Sequence, residues 1–358
     1  MTKPWTKNRE TGETTEGKLT LTQIPTPPPE SGEALVEIAG CGVCHTDLGY
    51  FYDGVPTVTK PLLTLGHEIS GVVMSEDESL NGKEVIIPAV LPCNTCAICK
   101  SGRGNRCLSQ KMPGNSLGIY GGFSSHIPVP AADLCIVKDR RGFQLPELAV
   151  IADAVTTPYQ ACVRGEIKKG DNVVVVGITG GVGSYVGQMA KAFGADTVIG
   201  IARNPEKLER ALKYGTDYVI NSTDKDAKTV RDEFRNICKT NGLPSKHSWT
   251  IFEVTGTSPG QKIALTILPF TSKLVVIGFG LQRNEFSISR LMALDSDIIG
   301  TWGCLPQYYP KVLQMVLDGT IKIKPFTEIR SMSRIKEVFK EAHSKKLDRR
   351  VVLTPDFQ

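Results

Sequence analysis

Along the first 150 residues, short β-branched runs (Ala34–Ile38, Gly71–Met74 and Glu84–Ile87) are separated by glycine- and proline-rich stretches. That pattern predicts short strands joined by loops, a compact mostly-β domain. From about Asn172 the texture changes. Val173–Val176 is an unbroken apolar run, as expected of a parallel strand covered on both faces. A glycine turn follows, then a helical stretch over Ser184–Phe193 ending at Gly194. Next come a strand over Thr197–Ala202, a helix over Pro205–Tyr214 and a strand over Asp217–Ile220, with further strands at Thr250–Val254 and Lys273–Gly278. This alternation predicts a doubly wound parallel sheet. Beyond about Leu305 lie two helical segments and the strand-like Arg350–Thr354. The fold class is therefore α/β, a mostly-β domain plus a parallel-sheet domain.

Composition changes this picture little. At 358 residues the chain can build two separate cores, and 41% hydrophobic with 22% charged residues is ordinary for a globular protein. No stretch approaches the roughly 18–20 apolar residues of a membrane span. The N-terminus, with Lys3, Lys7, Arg9 and Glu10, lacks the apolar core of a secretion signal. The net charge of +5 is spread along the chain, denser only at Lys345, Lys346, Arg349 and Arg350, with no interleaved aromatic platform. Neither nucleic acid nor membrane is expected as a partner. Most of the ten cysteines fall in metal-like spacings, which suits a reducing cytoplasm better than export.

Four of those cysteines, Cys93, Cys96, Cys99 and Cys107, form a C-x2-C-x2-C-x7-C run flanked by Pro92, Gly102 and Gly104. Three thiols at close spacing, closed by a fourth across a small loop, suit a tetrahedral all-thiolate zinc site. Four thiolates leave no open position, so this zinc is structural.

Gly177-Ile178-Thr179-Gly180-Gly181-Val182-Gly183 lies between a buried strand and a helix. Glycines there let the backbone approach a pyrophosphate, whose charge meets the helix N-terminus. Gly177, Gly180, Gly181, Val182 and Gly183 are thus candidate cofactor residues of a Rossmann domain, with Val254 and Gly278 at the ends of later strands. An acid at the end of the second strand would hold the ribose 2′-hydroxyl of NAD. Here Ala202 precedes Arg203, which leaves NADP possible.

A second metal site is open. Cys44 and His67 supply a thiolate and an imidazole, and Asp153 a carboxylate, meeting the three-ligand need of a catalytic zinc. Glu68 is a nearby carboxylate able to ligate transiently, and Asp47 suits the second N–H of His67.

With Gly40-Cys41-Gly42-Val43-Cys44-His45-Thr46-Asp47, Gly66-His67-Glu68, the cysteine lobe and the glycine loop, the chain resembles a zinc-dependent medium-chain alcohol dehydrogenase over nearly its whole length. The resemblance implies a GroES-like catalytic domain over residues 1–153, with a zinc lobe at 92–108, completed by 306–358, and a Rossmann domain over 154–305. It implies two zincs per chain, NAD as hydride acceptor, and a homo-oligomer, tetramer or dimer. Catalytic roles carry over to Cys44, His67, Glu68 and Thr46, whose hydroxyl receives the substrate proton. His45 and Arg350 match contacts to the cofactor pyrophosphate. Asp153 stands where many relatives have cysteine, and Gly49 where some have a proton-relay histidine.

Met112-Pro113-Gly114-Asn115, Gly121-Gly122-Phe123, the stretch 153–160 and Trp302-Gly303-Cys304-Leu305-Pro306 are similar to family members acting on a CoA thioester. That resemblance implies oxidation of a ring allylic alcohol to the conjugated ketone in anaerobic aromatic degradation, with water addition to the product as a further activity. Tyr50, Phe51, Tyr52 and Trp302 are candidates to line a pocket for the ring. The alternatives are a general zinc dehydrogenase of free allylic or aromatic alcohols, a zinc-free reductase of the same fold, and a non-catalytic dinucleotide-binding protein.

Overall fold

The computed structural model describes residues 1–7, 11–26 and 28–357, so Arg9 and Glu10 lie outside the described residues. The chain divides into two compact units, Met1–Thr156 with Gly303–Asp318 and Ile323–Gln358, and Thr157–Trp302 with Gly319–Lys322.

The first unit is built on a seven-stranded sheet. Its path runs Thr327–Ser331, Arg350–Thr354, Glu33–Gly42, Glu68–Met74, Glu84–Ile87 and Cys135–Ile136, with His126–Pro130 also pairing with Glu33–Gly42. Within Glu33–Gly42 the buried Ala34, Val36 and Ile38 alternate with more exposed residues, the period-two pattern of a half-covered strand. Their faces join Ile69, Val85, Ile127, Val351 and Leu353 in one core. Register matters for the site. Gly42 pairs with Glu68 on one side and with Val352 on the other, which brings the C-terminal strand beside the segment carrying His67.

The second unit holds a six-stranded, all-parallel sheet. Its strands are Asn172–Val176, Thr197–Ala202, Tyr218–Asn221, Trp249–Glu253, Lys273–Val276 and Asp297–Gly300. Counted along the chain they lie in the order 3-2-1-4-5-6, the doubly wound arrangement with its ligand crevice at the C-terminal strand ends. Val173, Val174 and Val175 are wholly buried, in keeping with their unbroken apolar run.

The structure adds elements that the strand pattern alone did not mark. Helix Ala227–Thr240 buries Val230, Phe234 and Cys238 at four-residue spacing behind an Asp226 cap, a helical signal present in the sequence. The sixth strand, Asp297–Gly300, is mostly exposed and forms an edge, so it carries little of the apolar run that marks its neighbours. Among the described residues no helix is long and apolar enough to cross a membrane.

Candidate functional site

Cys44 caps the helix His45–Tyr52, and Asp47, at the third position of that helix, reaches back with Oδ2 to accept from the Cys44 N–H at 3.1 Å. The same carboxylate accepts from the Gly66 N–H at 3.0 Å through Oδ1, so it ties the Cys44 turn to the segment before His67. That Oδ1 also lies 3.3 Å from His67 Nδ1. On the other side of the ring, His67 Nε2 is 3.6 Å from Asp153 Oδ2, and Cys44 Sγ is 3.7 Å from the same oxygen. Thr46 Oγ1 lies 3.7 Å from Cys44 Sγ. Asp153 ends the 3-10 helix Leu145–Ala152 in a non-helical conformation, φ −140° and ψ −55°.

Cys44, His67, Glu68 and Asp153 thus offer ligand atoms all within 4.8 Å of one another. Bonds of about 2.0–2.3 Å at tetrahedral angles separate mixed S, N and O ligands by about 3.3–3.5 Å, close to the spacing found. Neither ring nitrogen of the buried His67 makes an aligned hydrogen bond, and Glu68 Oε2 is also without a partner. Burial opposes a charge on His67, yet Asp47, with Asp153 behind it, outweighs burial and holds the imidazole well above its ordinary range. With Cys44, Glu68 and Asp153 gathered about one imidazole, the pocket offers anionic donors to a cation. This donor set fits zinc, which Cys44, His67 and Asp153 could hold.

Glu68 has a second attachment that the sequence did not reveal. Its Oε1 accepts from Arg350 Nη1 at 2.6 Å, and both side chains are buried. Burial pushes the Glu68 carboxyl up to about 7 against the opposing pull of Arg350. Arg350, also near the Val43 carbonyl at 3.3 Å, is held further above its ordinary range by Glu68 despite burial. His45 is exposed at the start of its helix.

Of the aromatic candidates, Phe51 lies in the core, edge-on to Phe339 and Tyr52. Tyr52 stacks on His343, centroids 4.2 Å apart. The Tyr50 hydroxyl accepts from Asn115 Nδ2 at 2.6 Å. Trp302 is partly exposed, in the other unit.

The four-cysteine loop closes on itself. Sγ separations are 4.0 Å for Cys93–Cys99, 3.5 Å for Cys96–Cys99 and 3.8 Å for Cys96–Cys107. Tetrahedral zinc with bonds of about 2.3 Å spaces sulfurs about 3.8 Å apart, whereas a disulfide needs about 2.05 Å. The Thr95 hydroxyl and nearby N–H groups lower the Cys93 thiol to about 5, so it is a ready thiolate.

In the second unit, the loop from Gly177 to Gly183 joins strand Asn172–Val176 to helix Gly183–Ala192. Gly177 has φ +100°, and a Cβ on Gly183 would sit 2.0 Å from the Gly177 carbonyl oxygen, so neither accepts a side chain without a shift. Gly180 and Gly181 are exposed at the loop's apex, with Val182 capping the helix. Val254 N–H bonds the Val176 carbonyl at 3.0 Å and Gly278 N–H the Glu253 carbonyl at 3.0 Å, placing both just past neighbouring strand ends. Ala202 ends its strand almost buried, Arg203 is exposed, and Asn204 caps the next helix through the Lys207 N–H.

Comparisons with known proteins agree with this architecture. Residues 30–139 match the alcohol dehydrogenase GroES-like domain and residues 181–318 the zinc-binding dehydrogenase family. The chain is 29% identical over 343 residues to an alcohol dehydrogenase of Geobacillus stearothermophilus, covering 94% of this chain and 96% of that one. It is 26% identical over 316 residues to a sorbitol dehydrogenase of Bacillus subtilis, covering 86% and 85%. An NAD-dependent alcohol dehydrogenase of Sulfolobus acidocaldarius is 27% identical over 347 residues, covering 94% and 96%. Among solved structures, acetophenone reductase from Geotrichum candidum in complex with NAD superposes with a TM-score of 0.81 at 25% identity, covering 98% and 96%.

Proposed function

We infer the activity of this chain, which belongs to the zinc-dependent medium-chain alcohol dehydrogenase family, as the nicotinamide-linked oxidation of an alcohol to its carbonyl compound. The observation that carries this reading is the convergence of Cys44, His67 and Asp153 beside the Thr46 hydroxyl. Zinc held there would supply Lewis-acid polarisation of the alcohol oxygen. The protein's own part is to position and to relay. Asp47 fixes the Cys44 turn and holds an oxygen 3.3 Å from His67 Nδ1, and Thr46, whose hydroxyl lies 3.7 Å from Cys44 Sγ, would relay the alcohol proton, accepting it as its own hydrogen leaves. With glycine rather than histidine at position 49, the proton leaving Thr46 would have to pass to the cofactor ribose, to water or to another side chain.

The substrate we propose is a free alcohol, the general reading, since the relatives named above are alcohol and sorbitol dehydrogenases. The narrower reading, 6-hydroxycyclohex-1-ene-1-carbonyl-CoA oxidised to its 6-oxo enone, rests on the sequence stretches that resemble such an enzyme. Rates of reduced-nicotinamide formation with cyclohex-2-en-1-ol and with that thioester separate the two. Turnover of the free alcohol, with or without the thioester, supports the general enzyme, turnover of the thioester alone supports the narrower one, and turnover of neither points to another alcohol as substrate. Mass spectrometry of the thioester product would reveal any hydrated species.

NAD is the proposed acceptor, as in the relative named for it. Ala202 and Arg203 put no carboxylate against a 2′-phosphate, so discrimination from NADP is weak. Ala202→Asp is expected to raise the NAD over NADP preference in kcat/KM about tenfold, a ratio equivalent to about 1.4 kcal/mol. An unchanged ratio would remove this strand end from cofactor choice.

We also propose self-association through the second unit. The edge strand Asp297–Gly300 leaves its ladder unpaired on one side, with Ile288, Met292 and Ile298 exposed nearby in the chain.

A further inference from the structure

Tyr309 opens the helix Tyr309–Leu317, whose Val312, Leu313 and Val316 are buried with it. No part of the Tyr309 side chain reaches solvent. Its hydroxyl donates to the Ala152 carbonyl at 2.5 Å and accepts from the Ala89 N–H at 3.1 Å. Ala152 is the last residue of the 3-10 helix before Asp153. The same carbonyl accepts from Thr156 Oγ1 at 3.2 Å, and Thr156 is wholly buried. Two buried hydroxyls from different parts of the chain therefore converge on the peptide that leads into the Asp153 ligand.

That convergence has a mechanical consequence. Asp153 follows the helix in a non-helical conformation, so where its short side chain points depends on how the peptide before it is held. A carboxylate only two rotatable bonds from the main chain is held near Cys44 and His67 when its backbone is fixed. We propose that Tyr309, with Thr156, is a positioning residue that sets Asp153 for metal binding. It touches neither metal nor substrate. This inference rests on the metal-site reading given above.

The test compares the wild-type chain with Tyr309→Phe, which keeps the ring and removes the hydroxyl, and with Thr156→Val, which removes the other donor. Zinc affinity of the open site is measured by chelator competition, with the four-cysteine zinc as internal reference. Cobalt substitution gives a spectrum of the same site. The expected result is affinity at the open site weakened about tenfold or more, as when supports of metal ligands are removed elsewhere. The cobalt spectrum should shift, and kcat fall with KM for the nicotinamide cofactor unchanged. Thr156→Ser should restore the wild-type values. Wild-type affinity and spectrum in both variants, with only a lower melting temperature, would overturn the proposal. If Tyr309→Phe does not fold, Thr156→Val decides alone. A wild-type chain that binds zinc only at the cysteine lobe would overturn the open metal site itself and the inference with it.

Discussion

Glu68 and Arg350 show how much one contact can carry. Both are buried, so removing one partner leaves the other charge without water or counter-charge. Arg350→Met is expected to destabilise the protein by about 3–5 kcal/mol, read from denaturant unfolding. The double variant Arg350→Met with Glu68→Met should recover most of that loss, because an apolar pair removes both desolvation costs. A single variant as stable as the wild type would mean the carboxyl is already neutral. His67→Ala makes the opposite kind of prediction. It should abolish turnover and lower the zinc content by one per chain, while the circular dichroism spectrum stays close to wild type. Retained turnover would end the metal assignment. Residues of this kind were partly legible in the sequence. Cys44 and His67 stand in short motifs whose chemistry points to metal, whereas the Glu68–Arg350 pair joins positions 282 residues apart and has no local signal.

At the scale of elements, the cysteine lobe and the glycine loop are local devices. Each was readable because its residues lie close in the chain. Cys93 to Cys107 span one loop, and the sulfur separations of 3.5–4.0 Å arise within it. If the lobe holds zinc, Cys99→Ala should lower the zinc content by one per chain and open cleavage between Cys93 and Cys107 to limited proteolysis, with activity retained. Loss of both zincs would instead tie the lobe to the other site. Strand ends were less well marked. The strand expected over Lys273–Gly278 stops at Val276 in the structure, because the Ile277 and Gly278 N–H groups both turn to the Glu253 carbonyl. The long helix Ala227–Thr240 has a four-residue apolar spacing but a polar majority, so no apolar run marks it as one marks the strands.

At the scale of the whole molecule, the exposed sixth strand bears on assembly. Ile298→Lys is expected to reduce the particle mass measured by light scattering after size exclusion, because a lysine on an edge strand opposes pairing with a second copy. An unchanged mass would locate any oligomer contact elsewhere. The sequence by itself determined the two textures of the chain, the parallel-sheet half, the cysteine lobe and the glycine loop. Those features depend on residues that are neighbours along the chain, so spacing and periodicity express them directly. Tertiary structure alone decided that Arg350 pairs with Glu68 and that Tyr309 grips the peptide before Asp153, and it set the distance at which Asp153 meets Cys44 across 109 positions. Such contacts follow from strand register and helix packing, which sum many weak apolar contributions over the whole core and leave no mark at any single position.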